Sequence, residues 1–207
     1  LNGVGHGENI RDSLGPRVAT GTIGSIEVVR NKNRDVCHLS SIKPHIEIAS
    51  NDDISKNELK IISKAIESVG ISIDVLESES EVIWNKLIRL NAIASLTTAY
   101  QTNIGKIRSN FKLNSLLNLI VKESALVAEY EGVSVDCDKV INQINRLSPL
   151  LETSMQRDVE LGRKSELEYI TGGVLRLAKS YKISVPTHEY IYRIIRERII
   201  SQTLKIS

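Results

Sequence analysis

The hydrophobic rhythm of the chain changes once along its length. Arg17 to Arg30 (R-V-A-T-G-T-I-G-S-I-E-V-V-R) reads as extended backbone broken by Gly21 and Gly24. Asn31 to Asp35 reads as a turn, and Val36 to Ala49 resumes as strand, with Pro44 suggesting an edge or a bulge. The two runs predict an antiparallel hairpin, in which Ile46-Glu47-Ile48 alternates as a half-buried strand. Ser55-Lys56-Asn57-Glu58 has the form of a capping box. The helix it opens would turn Leu59, Ile62, Ala65, Ile66 and Val69 inward and stop at Gly70. Ile71 to Leu76 follows as a short strand, and Glu8 to Asp12, among Gly-rich turns, suits a short helix before all of this.

After Glu77 the strands stop, and apolar residues recur every three or four positions. Helices are predicted over 80–100, 113–130, 137–145, 150–161, 165–181 and 188–204. Asp136 and Ser165 read as N-caps and Gly132 as a stop, while Pro149 and Pro186 sit at or near helix starts. The change of rhythm predicts two domains, residues 1–77 and 78–207, with the boundary near Glu77.

The stretch Glu81 to Ala99 organises the helical part. It holds the single Trp, Trp84, and one lysine, Lys86, among apolar residues at helical spacing. Ala92, Ala94, Ser95 and Ala99 would let a neighbour approach the backbone closely. A lysine on such a face either snorkels to water along its stem or is kept for chemistry, and spacing alone favours snorkelling, since long charged side chains usually find solvent.

Composition narrows the function classes. Hydrophobic residues are 41% and charged residues 25%, ordinary for a globular chain, whereas aromatics at 4% leave the core to Ile, Leu, Val and Ala. A net charge of +2 with scattered basic residues argues against a nucleic-acid partner. Cys37 and Cys137 are far apart and form no C-x-x-C pair, so reduced thiols and a cytoplasmic setting are the expectation. No apolar run reaches the ~20 residues of a membrane span, and no membrane partner is expected. The histidines show no metal-ligand spacing, so no metal site is expected either.

Four short motifs stand in order: Asn2-Gly3-Val4-Gly5; Trp84-Asn85-Lys86-Leu87; Ser154-Met155 with Asp158; and Glu166-Leu167-Glu168-Tyr169-Ile170 followed by Gly172. With these the chain resembles the ketopantoate reductase (2-dehydropantoate 2-reductase) family. The resemblance implies an α+β fragment of a two-domain α/β enzyme. Residues 1–77 would be the end of a Rossmann-type NADP-binding domain, and 78–207 an all-helical substrate-binding and dimerisation domain. It implies NADP-dependent reduction of a 2-oxo acid, 2-dehydropantoate to pantoate, as in pantothenate biosynthesis. The partners it implies are a small-molecule 2-oxo acid and a second copy in a homodimer. The glycine-rich dinucleotide loop would lie outside this chain: a third glycine after Gly3 and Gly5 would fall at position 8, which is Glu8.

The resemblance also assigns residues. Lys86 matches the catalytic lysine, whose ammonium would polarise the ketone oxygen and then protonate it. Glu166 matches the glutamate that holds the substrate hydroxyl and the polar network of the site, with a share in the cofactor site. Ser154 matches the serine that helps fix the substrate carboxylate, and Asn2 the asparagine between cofactor and substrate. Plainer roles exist for three of them: Glu166 beside a helix start, Ser154 as a local backbone partner, Asn2 in a common turn dipeptide.

Two positions depart from the family. The asparagines found four and eight residues beyond its lysine are Leu90 and Ala94 here. Asn91 is displaced by one residue, about 100° around a helix, and does not replace them. The departure makes the pocket more apolar and puts the pantoate-type substrate in question. Two alternatives therefore stand beside the main reading: a reductase of another 2-oxo acid, and a helical dimerisation or interaction module without activity.

Overall fold

The computed structural model describes residues 2–24, 28–38, 44–51 and 56–206. The chain forms two compact units, His6–Lys86 and Asn2–Gly5 together with Leu87–Ser207.

The first unit is mixed α and β. Its elements are α1 (His6–Leu14), β1 (Thr20–Gly24), β2 (Val28–Arg30), β3 (Val36–His38), β4 (His45–Ala49), α2 (Lys56–Glu67) and β5 (Ser72–Val75). The expected hairpin is divided between two sheets. β2 and β3 pair antiparallel across the 31–35 turn, in register Val28↔His38. In that turn Arg34 has a positive φ, and the Asn31 amide donates to Asp35 at 2.9 Å. Farther out, β1 and β4 pair antiparallel from Thr20↔Ala49 to Gly24↔His45. β4 is central in the three-stranded sheet and runs parallel to β5, which requires the crossover that α2 provides. Pro44 stands just before β4, where its lack of an N–H costs the ladder nothing.

Ser55 of the capping box lies outside the described residues. The inward face expected of α2 needs revision. Of the residues expected to face inward, Leu59 is buried and Ile66 half-buried, but Ile62, Ala65 and Val69 are exposed, and Ile61 is 68% exposed. A three-stranded sheet is narrower than the apolar stripe that the sequence writes on this helix.

Helix α3 (Glu79–Tyr100) opens in the first unit and from Leu87 belongs to the second. Its start is fixed by Glu79, which is buried and accepts hydrogen bonds from Arg11 Nη2 at 2.5 Å, Thr20 Oγ1 at 2.7 Å and the Asn51 amide at 3.0 Å. Asn51 Oδ1 returns the contact by accepting from Glu79 N at 3.1 Å. One side chain thus ties α1, β1 and the segment after β4 to the head of α3.

In the second unit α3 is followed by α4 (Ile104–Ser109), α5 (Phe111–Tyr130), α6 (Cys137–Asn145), α7 (Ser154–Glu160), α8 (Thr171–Ser180) and α9 (Pro186–Ile206). α4 was not expected. Asn103 caps it by accepting from Lys106 N, and Asn110 then caps α5 by accepting from Leu113 N. Asp136 caps α6 as its sequence suggests. α7 begins four residues later than expected, because Thr153 accepts from Gln156 N and sets its start. Ser165 is not an N-cap: α8 begins at Thr171, after a turn over 167–170. The physical reason lies far away in sequence. A helix starting at Ser165 would direct the Tyr169 carbonyl to Gly173, whereas here it accepts from Val4 N at 3.0 Å. Among the described residues, no helix is long and apolar enough to cross a membrane.

Candidate active site

The turn before α8 receives the first residues of the chain. Asn2 N donates to Glu166 Oε1 at 3.2 Å and Asn2 Nδ2 donates to Glu166 Oε2 at 2.9 Å, so both carboxylate oxygens are engaged by one residue. Gly3 makes this possible. Its φ is +96°, and a Cβ there would lie 2.0 Å from the Tyr169 carbonyl oxygen. Gly173, in the first turn of α8, similarly leaves room for Val4, whose Cγ2 would be 2.4 Å from an added Cβ. The Asn-Gly dipeptide thus bends the backbone against the turn and delivers an amide to a carboxylate. Gly3→Ala is expected to cost ~1–3 kcal/mol in backbone strain alone. Hydrogen exchange at Val4 N–H should then speed up by roughly tenfold or more, and unchanged exchange would contradict the close approach.

The other two residues singled out in the sequence stand apart from this pair in different ways. Ser154 is the first residue of α7 and is exposed. Thr153 supplies the cap and also meets Thr97 Oγ1 at 3.1 Å, so Ser154 is not needed to start the helix. Lys86 is half-buried on α3 and is the last residue of the first unit, whereas Asn2, Ser154 and Glu166 belong to the second.

The positions around the family departures are now resolved. Leu90 is half-exposed and Ala94 is buried. Asn91 is fully buried and occupied elsewhere. Its Nδ2 donates to His188 Nε2 at 2.8 Å and to Ser124 Oγ at 3.2 Å, and its Oδ1 accepts from Thr171 Oγ1 at 2.9 Å. His188 Nδ1 lies 2.6 Å from Glu123 Oε2, which assigns the ring proton to Nδ1 and leaves Nε2 as acceptor. Glu123 also accepts from the amides of Thr187 at 2.9 Å and His188 at 3.0 Å, capping α9 from the neighbouring α5. Burial pushes the Glu123 carboxyl up, but hydrogen bonds from His188 and Thr187 outweigh it and hold the group below the usual carboxylate range. Sequence reading missed this cluster, since His188 has no partner nearby in the chain. A polar His two residues after Pro186, at a helix start, was the available signal.

Among the described residues, no group of three or more His, Cys, Asp or Glu side chains is arranged to hold a metal ion. The Asn2–Glu166 pair offers an amide and a carboxylate, a donor set suited to hydroxyl and amide groups of an organic ligand.

The chain is similar to several known proteins. A 2-dehydropantoate 2-reductase of Yersinia pestis is 26% identical over 173 residues, covering 82% of this chain and 55% of that protein. The chain therefore spans about half the length of that relative. Among solved structures, D-mandelate dehydrogenase bound to NADH and anilino(oxo)acetate matches with a TM-score of 0.84 at 20% identity, over 97% of this chain and 66% of that one. A dimeric ketopantoate reductase from Staphylococcus aureus matches with a TM-score of 0.81 at 20% identity, over 97% of this chain and 66% of that one. At these identities the structural likeness is one of fold. The family described as "Ketopantoate reductase PanE/ApbA C terminal" matches residues 80–199, α3 through most of α9, and by that match the chain belongs to the ketopantoate reductase family.

Proposed function

We propose that the protein is an oxidoreductase that reduces a 2-oxo acid to the corresponding 2-hydroxy acid with a nicotinamide coenzyme, of the NADP type in line with the family resemblance. The observation that carries this reading is the Asn2–Glu166 pairing: two of the residues assigned by resemblance, 164 positions apart, are joined by two hydrogen bonds. The family match over 80–199 adds to it.

When bound, the nicotinamide supplies a hydride; within this chain Asn2 and Glu166 are the residues that would hold it. Lys86 Nζ donates a hydrogen bond to the ketone oxygen, favouring the negative charge that grows there, and then gives up its proton to form the product hydroxyl. Glu166 accepts from a hydroxyl of the bound molecules while Asn2 keeps its carboxylate oriented. Ser154 Oγ donates to the substrate carboxylate. A dimer is part of this reading, as in the Staphylococcus aureus structure that shares the fold.

The test uses the complete gene product with NADPH and NADH in turn and a panel of 2-oxo acids differing at the third carbon. Coenzyme oxidation with at least one of them is the expected result. A protein that sediments as a compact dimer, binds neither coenzyme and reduces no oxo acid would instead be the interaction module.

A further inference from the structure

Helix α3 is enclosed on most of its circumference. Val82, Trp84, Leu87, Ile88 and Ala92 are all buried, as is Asn91. Lys86, Arg89 and Leu90 are half-exposed and lie at three- and four-residue spacing, on one stripe of the helix. Two cations thus stand one turn apart on a partly desolvated face. Among the described residues Arg89 makes no hydrogen bond and no ion pair. A half-exposed arginine without an acceptor among the described residues is open to an anion.

We infer that Arg89 is a substrate-binding residue whose guanidinium takes the carboxylate of the 2-oxo acid; this rests on the function proposed above. The chemistry suits the spacing. In a 2-oxo acid the carboxylate is bonded directly to the ketone carbon, so two adjacent donors can meet its two functional groups. Side chains three residues apart on a helix have Cβ atoms ~5–6 Å apart and reach neighbouring groups of one small ligand. The planar guanidinium forks onto a carboxylate through two parallel N–H bonds, whereas an ammonium is better placed to donate one proton to the ketone oxygen. Arg89 and Lys86 therefore divide the substrate between them, with Arg89 adding to the hydroxyl of Ser154.

The test compares each 2-oxo acid with its methyl ester, which retains the ketone and loses the charge. In the complete gene product, Arg89→Ala is expected to raise KM for the acid by roughly ten- to a hundredfold and to leave KM for the ester and for the coenzyme nearly unchanged. Arg89→Lys should recover part of the loss. Parallel losses for acid and ester would mean a structural role and would overturn the inference. A rise in coenzyme KM with the acid-to-ester ratio intact would overturn it too, placing a coenzyme phosphate at Arg89. Calorimetric titration with oxamate, an unreactive mimic, reads the anion contact without turnover. Binding by the wild type that Arg89→Ala abolishes supports the carboxylate contact even if no oxo acid is reduced, in which case the proposed reaction is what fails. Equal binding by both proteins, or none by the wild type, overturns it.

Discussion

Lys86→Ala in the complete gene product is expected to lower kcat by roughly two to four orders of magnitude, the usual worth of a positioned general acid. KM for the coenzyme should change little, because the lysine acts on the ketone and not on the dinucleotide. Lys86→Arg should not restore the rate: it keeps the positive charge, but a guanidinium scarcely releases its proton. Small primary amines added to Lys86→Ala should recover part of the activity, with a dependence on amine basicity that a packing defect would not produce. The fold itself should survive the truncation. Lys86 is half-buried, and the apolar anchors beside it, Trp84 and Leu87, remain 1% exposed in the unaltered parts of the helix. A variant with normal kcat would remove the lysine from the mechanism.

His188→Leu is expected to destabilise the helical unit by about 1.5–3 kcal/mol, the range for losing a buried hydrogen bond to a charged group. The substitution removes the ring donor to the Glu123 carboxylate, leaves it the two backbone amides, and deprives Asn91 and Ser124 of the acceptor they share. The size of the defect should depend on pH. In the wild type the folded-state pKa of Glu123 is depressed, so its contribution is fully present above the unfolded carboxylate value and is lost as pH falls through the lower folded one. Without the histidine, burial is less opposed and the carboxyl moves upward, so the variant is penalised above that range and relieved once the group is protonated. Urea unfolding should therefore show a wide gap between the two proteins at neutral pH and a narrow one in acid. A gap that stays constant would mean the loss is one of packing volume. His188→Gln, which retains a donor for Glu123, should lose less.

Much of the helical unit was legible because its signals are local. α5, α6 and α9 carry apolar spacing, an N-cap or a proline at the first turn, and each lies within a few residues of its expected span. What escaped notice depends on distant partners or short elements. α4 is six residues long and is declared mainly by Asn103. The turn before α8 has helical sequence, but Val4 takes the carbonyl that the helix would use. The family motifs imply roles for Asn2 and Glu166 in one site, but neither they nor any periodicity gives the two hydrogen bonds between them. The engagement of Asn91 with His188 could not be read from residues 97 positions apart. Arg89 passed unnoticed because one more cation in a chain with 27 lysines and arginines carries no pattern.

The outer face of α2 has a consequence for handling the protein. Ile61 and Ile62 on α2, with Val69 in the turn just after it, form an oily ridge in contact with water, while the other side of the helix rests on β5. Each Å² of such a ridge gains about 25 cal/mol when covered, so the first unit carries a standing tendency to adhere to whatever apolar surface it meets. Rising salt of the kind excluded from protein surfaces strengthens that tendency.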